Sequence, residues 1–219
     1  MDKYTGITGI IGFGSIAKIH SRIMYENNNP INCVFTRSKS SIQKIKEFFK
    51  KEFSYVPEIV NDCNIFFSKK ICSLVISSPP STHFNYLLKA FDRKIPVFCE
   101  KPLFWEKNTS FKELEKKISI IESHKNKNFL VNTNNSYFVD EILKIKKVKK
   151  IKFLKFIFHT NGLNKFSDIG IDLLPHGLSI LIRALGFDKI SNLKKSISES
   201  FVKYKFIYKN ADIEFEFMQ

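Results

Sequence analysis

Two short stretches hold residues whose types and spacing could do chemistry. The first is Gly12-Phe13-Gly14-Ser15-Ile16-Ala17, which follows the apolar run Ile7–Ile11 and opens a helical pattern through Ile16, Ile19, His20, Ile23 and Met24. In that setting Gly12 permits a tight turn, Gly14 lets the backbone approach a pyrophosphate, and Ala17 keeps helix and strand close. The helix N-terminus attracts the phosphate charge. A plain βα turn without a ligand is the alternative. The second stretch is Glu100-Lys101-Pro102, a charged pair set directly after the apolar run Val97–Cys99. Upstream, Ser78, Pro79 and Pro80 follow the run Leu74–Ser77, and His83 begins the next helix, where it shapes the loop. Ligands of open α/β sheets sit outside the carboxyl ends of the strands, so both stretches belong on one rim.

A third stretch sets cofactor preference. The strand Ile31–Thr36 ends at Thr36-Arg37-Ser38, where an NAD site usually places a carboxylate for the ribose hydroxyls. An arginine flanked by hydroxyls suits a 2′-phosphate better. NADP(H) is therefore favoured, with NAD(H) as the alternative and a solvated loop arginine as the plain reading.

The elements that position these residues follow a regular alternation. Helices are expected over Ser41–Lys51, Glu58–Phe66 and Asn108–His124, and strands over Ile71–Ser77 and Phe129–Asn132. This predicts a doubly wound α/β domain over residues 1–132. Beyond it the pattern changes to a helix over Val139–Val148, a strand over Lys150–His159 and a helix over Asp172–Leu185 closed by Gly186. A hairpin, Phe201–Tyr208 and Asp212–Phe217, turns at Lys209-Asn210-Ala211. Residues 133–219 thus read as a smaller α+β domain with a mainly antiparallel sheet.

The net charge of +15 raises nucleic acid as a partner, but only Arg22, Arg37, Arg93 and Arg183 of the 36 basic residues are arginine. Nucleic-acid readers favour arginine for bidentate and stacked contacts, so no nucleic-acid partner is expected. The positive field suits an anionic cofactor or substrate. No apolar run approaches a membrane span and no signal peptide is evident, which makes the cytoplasm the default compartment. Cys33, Cys63, Cys72 and Cys99 lack CxxC spacing and read as structural thiols, with no metal site.

Taken together, GFGSIA (12–17), SSPPSTH (77–83), VFCEKPL (97–103) and DLLPHGLSILIRALG (172–186) resemble the Gfo/Idh/MocA family of NAD(P)-dependent oxidoreductases. The resemblance implies a Rossmann-type first domain and hydride transfer between nicotinamide and a carbohydrate-like alcohol or ketone. Many members with Asp-x-x-Pro-His act on sugars or nucleotide sugars in surface-polysaccharide pathways. Lys101 matches the lysine that contacts the nicotinamide ribose and the reacting oxygen. Asp172 and His176 match an Asp-x-x-x-His pair, with His176 as general acid/base and Asp172 orienting it. Asn134, Asn135 and Tyr137, at the domain junction, are candidates for substrate hydroxyls. Plainer readings stand beside these: Asp172 as an N-cap, His176 as a core histidine, Lys101 as a surface lysine. A regulatory dinucleotide-binding protein without turnover is the alternative function. Family members are usually longer, with further strands after the hairpin, so a truncated or reduced second sheet is expected, its edge covered in a homo-oligomer.

Overall fold

The computed structural model describes residues 6–133, 135–145 and 150–219. Contacts divide the chain between Asn132 and Thr133 into two compact units, each described by itself. Asn134 and the end of the helix expected through Val148 lie outside the described residues.

The first unit is a six-stranded parallel sheet: β1 (Ile7–Ile11), β2 (Cys33–Phe35), β3 (Glu58–Val60), β4 (Ile71–Ile76), β5 (Val97–Cys99) and β6 (Phe129–Val131). Its order, β3-β2-β1-β4-β5-β6, is that of a dinucleotide-binding sheet. The helices α1 (Ser15–Glu26), α2 (Ile42–Phe53), α3 (Cys63–Ser68), α4 (Pro80–Asp92) and α5 (Phe111–Ser123) cover its faces. One face buries Leu74, Ile76, Leu87, Phe91 and Cys99; the other buries Ile10, Val34, Val75 and Phe49. Helices on both faces explain why the strands read as largely apolar runs.

Two expectations here need correction. Glu58–Phe66 is not one helix: Glu58–Val60 is an edge strand paired with β2, and the helix starts only at Cys63. Asp62 makes the break, its carboxylate accepting from the Asn64 and Ile65 backbone N–H groups at 2.7 and 3.2 Å. The inward stripe of α1 also differs, because Ala17 and Ser21 are its buried residues while Ile16, Ile19 and Ile23 are exposed. Ala17 allows close approach to the sheet, and that contact sets the helix rotation.

The second unit holds α6 (Ser136–Ile145), β7 (Phe153–His159), α7 (Ser167–Leu185), β8 (Ile190–Ile197), β9 (Phe201–Tyr208) and β10 (Ala211–Met218). The sheet order is β7-β10-β9-β8, antiparallel except for the parallel β7–β10 pair. Lys209 and Asn210 both take positive φ, 49° and 60°, the geometry of a two-residue hairpin turn. The strand β8 was not anticipated; every residue along Ile190–Ile197 is exposed, so no buried alternation marks it in sequence. The helix α7 begins five residues before Asp172, so Asp172 is not its N-cap and Pro175 lies within the helix rather than in its first turn.

Alternation along β10 divides its side chains sharply. Ile213, Phe215 and Phe217 pack with Ile169, Leu173 and Leu181 of α7. On the opposite face Glu214 meets Lys155 at 2.8 Å, Lys205 at 2.9 Å and Lys203 at 3.0 Å. Glu216 meets Lys155 at 3.1 Å and also Lys203. The lysines hold both carboxyls below their ordinary range, Lys155 acting first on Glu214 and Lys203 first on Glu216. A depressed folded-state pKa contributes stability above the unfolded value, about 4.3 for glutamate, and loses it as pH falls through the folded value. The urea midpoint is therefore expected to drop below about pH 4, and Glu214→Gln should flatten that acid limb; an unchanged limb would count against the network.

Candidate active site

Backbone contacts fix the loop after β1 on two sides. Gly12 N–H donates to the Phe35 carbonyl at 3.0 Å, and Ser77 N–H donates to the Ile11 carbonyl at 2.9 Å. The Ser77 hydroxyl reaches the carbonyls of Ile11 and Gly12 at 3.2 and 3.3 Å. Gly12 has φ +82°, and a Cβ there would lie 2.7 Å from Ser78 Cα and 2.8 Å from Ser78 N. Only glycine fits. A Cβ on Gly14, by contrast, would meet nothing within 4 Å.

That open space lies over the first turn of α1, which has no side-chain cap and no acidic residue. Its backbone N–H groups, with the positive end of the helix dipole, form a receptor for an anion. Ser15 and Ile16 are exposed beside it and Ala17 is buried below. These residues fit the pyrophosphate of a dinucleotide.

The neighbouring strand ends complete the rim. Thr36 is buried, with its N–H donating to the Val60 carbonyl at 3.0 Å and its hydroxyl accepting from Ser38 N–H at 3.3 Å. Arg37 and Ser38 are exposed. After β4, Ser78 bonds Thr82 through their hydroxyls at 2.7 Å, Pro79 caps α4 and Pro80 opens it. His83 is fully buried: Nε2 lies 2.7 Å from the Ser78 carbonyl, and Nδ1 lies 3.1 and 3.2 Å from those of Pro102 and Leu103. Main-chain oxygens occupy both ring nitrogens, so His83 ties the loop after β4 to the loop after β5. The Lys101-Pro102 peptide in that second loop is cis.

Glu100 is buried at the end of β5, and its carboxylate faces three donors. His20 Nε2 is 2.6 Å from Oε1, Asn132 Nδ2 donates to the same oxygen at 2.7 Å, and Lys101 N–H donates to Oε2 at 3.3 Å. Burial alone pushes this carboxyl up, but the hydrogen bonds from His20 and Asn132 outweigh it and leave it below its ordinary range. Lys101 is half-buried beside it.

In the second unit Asp172 and His176 sit one turn apart on α7, both half-buried. Asp172 Oδ2 accepts from Gln219 Nε2 at 2.7 Å and from Asn164 Nδ2 at 3.2 Å. The His176 ring packs edge-on against Phe158, with centroids 5.0 Å apart. Asn135 is buried, whereas Tyr137 is exposed on α6 and lines an open cleft of about 590 Å³ with Asp140, Lys144 and Arg183. Arg183 grips Asp140 in a bidentate pair at 2.7 and 2.9 Å.

The structure thus gathers the Gly12–Ala17 turn, the Thr36–Ser38 end, the Ser78–Pro80 loop, His83, Glu100 and Lys101 in the first unit. Asp172 and His176 share one helix in the second. Sequence reasoning overlooked His20 and Asn132 as partners of Glu100, and Asn164 and Gln219 as partners of Asp172. The one local hint was His20, a polar residue among the apolar Ile16, Ile19, Ile23 and Met24, and it named no partner. Burial pushes the Cys33 thiol up to about 11 and the Cys99 thiol up to about 12, which keeps these two in the unreactive thiol form.

Comparison with known proteins agrees with this geometry. The Gfo/Idh/MocA family, described as an oxidoreductase family with an NAD-binding Rossmann fold, matches residues 7–133. The chain belongs to this family. An inositol 2-dehydrogenase from Mycolicibacterium vanbaalenii is 28% identical over 102 residues, which is 47% of this chain and 28% of that protein. Among solved structures, the fold is similar to that of scyllo-inositol dehydrogenase from Lactobacillus casei, whose structure holds NAD(H) and scyllo-inositol. It has a TM-score of 0.77 at 15% identity, over 98% of this chain and 69% of that one. The WlbA dehydrogenase from Thermus thermophilus, in complex with NAD and UDP-GlcNAcA, has a TM-score of 0.73 at 13% identity, covering 97% of this chain and 73% of that one. Among the described residues no helix is long and apolar enough to cross a membrane, and no three His, Cys, Asp or Glu side chains gather as a metal site.

Proposed function

We propose that this Gfo/Idh/MocA chain is an NAD(P)-dependent oxidoreductase that interconverts an alcohol and a ketone on a carbohydrate-like substrate, a sugar, cyclitol or nucleotide sugar. The single observation that carries the reading is the uncapped first turn of α1 beneath an open Gly14, locked in place by Gly12 against Ser78. It is an anion receptor on the rim where Lys101 emerges. The bound nicotinamide would supply or accept the hydride.

The chain's own residues do the remainder. Gly12, Gly14, Ser15, Ile16 and Ala17 hold the phosphates, and Ser78, Pro79, Pro80 and His83 shape the adjoining wall. Lys101 stabilises negative charge on the reacting oxygen with its ammonium group. His176 takes or returns the hydroxyl proton, while Asp172, itself steadied by Gln219 and Asn164, orients the imidazole from one helical turn away. Asn135 and Tyr137 are assigned to substrate hydroxyls. The sheet of the second unit is the proposed homo-oligomer surface; its support is β8, exposed along its whole length as an edge with Ile190, Leu193 and Ile197.

The test is direct. NADH and NADPH titrations should quench Trp105 fluorescence, and myo-inositol, scyllo-inositol and UDP-GlcNAcA, each with NAD+ or NADP+, should reveal turnover. Failure of both nucleotides to bind would overturn the reading; binding without turnover on a broad sugar panel would favour a regulatory dinucleotide-binding protein. Arg37 tests cofactor preference: Arg37→Ala should weaken NADPH about tenfold or more while leaving NADH within about twofold, as expected for loss of one charge-assisted contact. Equal losses for both nucleotides would remove the assignment to the 2′-phosphate.

A further inference from the structure

We infer that His20 is a positioning residue for the Glu100-Lys101 turn, and that Glu100 acts as a buried anchor rather than as a ligand of the cofactor. The inference rests on the cofactor reading above. Four observations carry it. Glu100 is only 7% exposed, and its two carboxylate oxygens receive donors from three elements: His20 from α1, Asn132 from the end of β6, and the N–H of Lys101 itself. Little of it remains for a ligand. His20 is part of the helix whose first turn receives the phosphates, so the 2.6 Å bond joins that helix directly to the turn bearing Lys101. The His20 ring is held from the side by Phe98 of β5, edge-on at 5.3 Å, and Phe98 is two residues before Glu100. Asn132 is clamped likewise, its N–H donating to the Cys99 carbonyl at 2.8 Å.

Mechanically, the Glu100 side chain is a strut. One oxygen is pulled by α1 and β6 together, and the other holds the backbone N–H of the next residue. With the strut in place the Lys101 side chain leaves the sheet in one direction. Without His20, a desolvated carboxylate keeps only Asn132 on that oxygen and the turn relaxes. A hydrogen-bond donor is what the position requires, so a neutral donor of similar reach should substitute for the imidazole.

The experiment compares two probes on His20→Ala, His20→Gln and the unaltered protein. NADH spans the whole site, whereas 5′-ADP lacks the nicotinamide ribose that the Lys101 position is expected to contact. His20→Ala should weaken NADH about tenfold while 5′-ADP stays within about twofold, and His20→Gln should recover most of the NADH loss. A merely structural role would move both probes together or only the melting temperature, and that result overturns the inference. So does an unchanged NADH affinity. If His20→Ala does not fold, Asn132→Ala removes the other donor to the same oxygen and is read by the same ratio. Should the unaltered protein bind neither probe, the cofactor reading itself falls; binding without the selective loss removes only the strut.

Discussion

Lys101→Ala is expected to lower turnover on any substrate of the panel by about 10²-fold or more, with NADH affinity reduced far less. The asymmetry follows from when the interaction matters. An ammonium group near a carbonyl oxygen gains most as negative charge develops there, so its loss falls on kcat more than on binding. Lys101→Arg should not restore the rate, because a broad planar guanidinium is a different donor from a compact ammonium group. His176→Ala, which removes the proposed acid/base, should fall in the same range, and the double variant is expected to be scarcely worse than the poorer single one, as the two proposed roles require. Losses that multiply in full would mean that the residues work independently. Turnover within about threefold of the unaltered protein in Lys101→Ala would dismiss Lys101 as a catalytic residue and leave it as the half-buried lysine it is in the plainer reading.

Gly12→Ala should strongly destabilise the first unit. The new methyl would sit 2.7 Å from Ser78 Cα and 2.8 Å from Ser78 N, atoms of a backbone held by β4, with φ at +82°. No flexible side chain can yield there. Positive φ in an alanine and forced separation of two loops together cost about 2–5 kcal/mol. A lower urea midpoint with unchanged slope would report the stability loss, and NADH titration of whatever remains folded should show affinity reduced as well. The control is Gly14→Ala, where the Cβ meets no protein atom. It should keep the stability within about 1 kcal/mol of the parent while still weakening NADH, because the added methyl occupies the space assigned to the phosphates. Equal destabilisation by both substitutions would contradict the distinction between the two glycines.

Much of this molecule was readable in the chain because the features concerned are local. A parallel sheet covered on both faces requires apolar strands, and Ile7–Ile11, Ile71–Ile76 and Val97–Cys99 are written that way. The glycine spacing of residues 12–17 and the charged pair after β5 needed only neighbouring residues to be understood. The break at Asp62 was also local, yet it was missed, because three strand residues and a short helix together carry too little periodicity to separate.

What could not be read were pairings between residues far apart in sequence. Nothing in residue 20 announces a bond to residue 100, eighty positions away, or that residue 132 shares the same oxygen. A carboxylate can serve equally as ligand, catalyst or anchor, and only its three-dimensional partners choose among these. The same holds for β8, whose exposed run without apolar alternation becomes a strand through the backbone ladder with β9. Local spacing thus set the strand–turn–helix units and the phosphate turn, because these depend on backbone sterics and burial over a few residues. The partners of Glu100, on which its proposed anchoring role rests, came from packing, because hydrogen-bond partners are assigned in space and not along the chain.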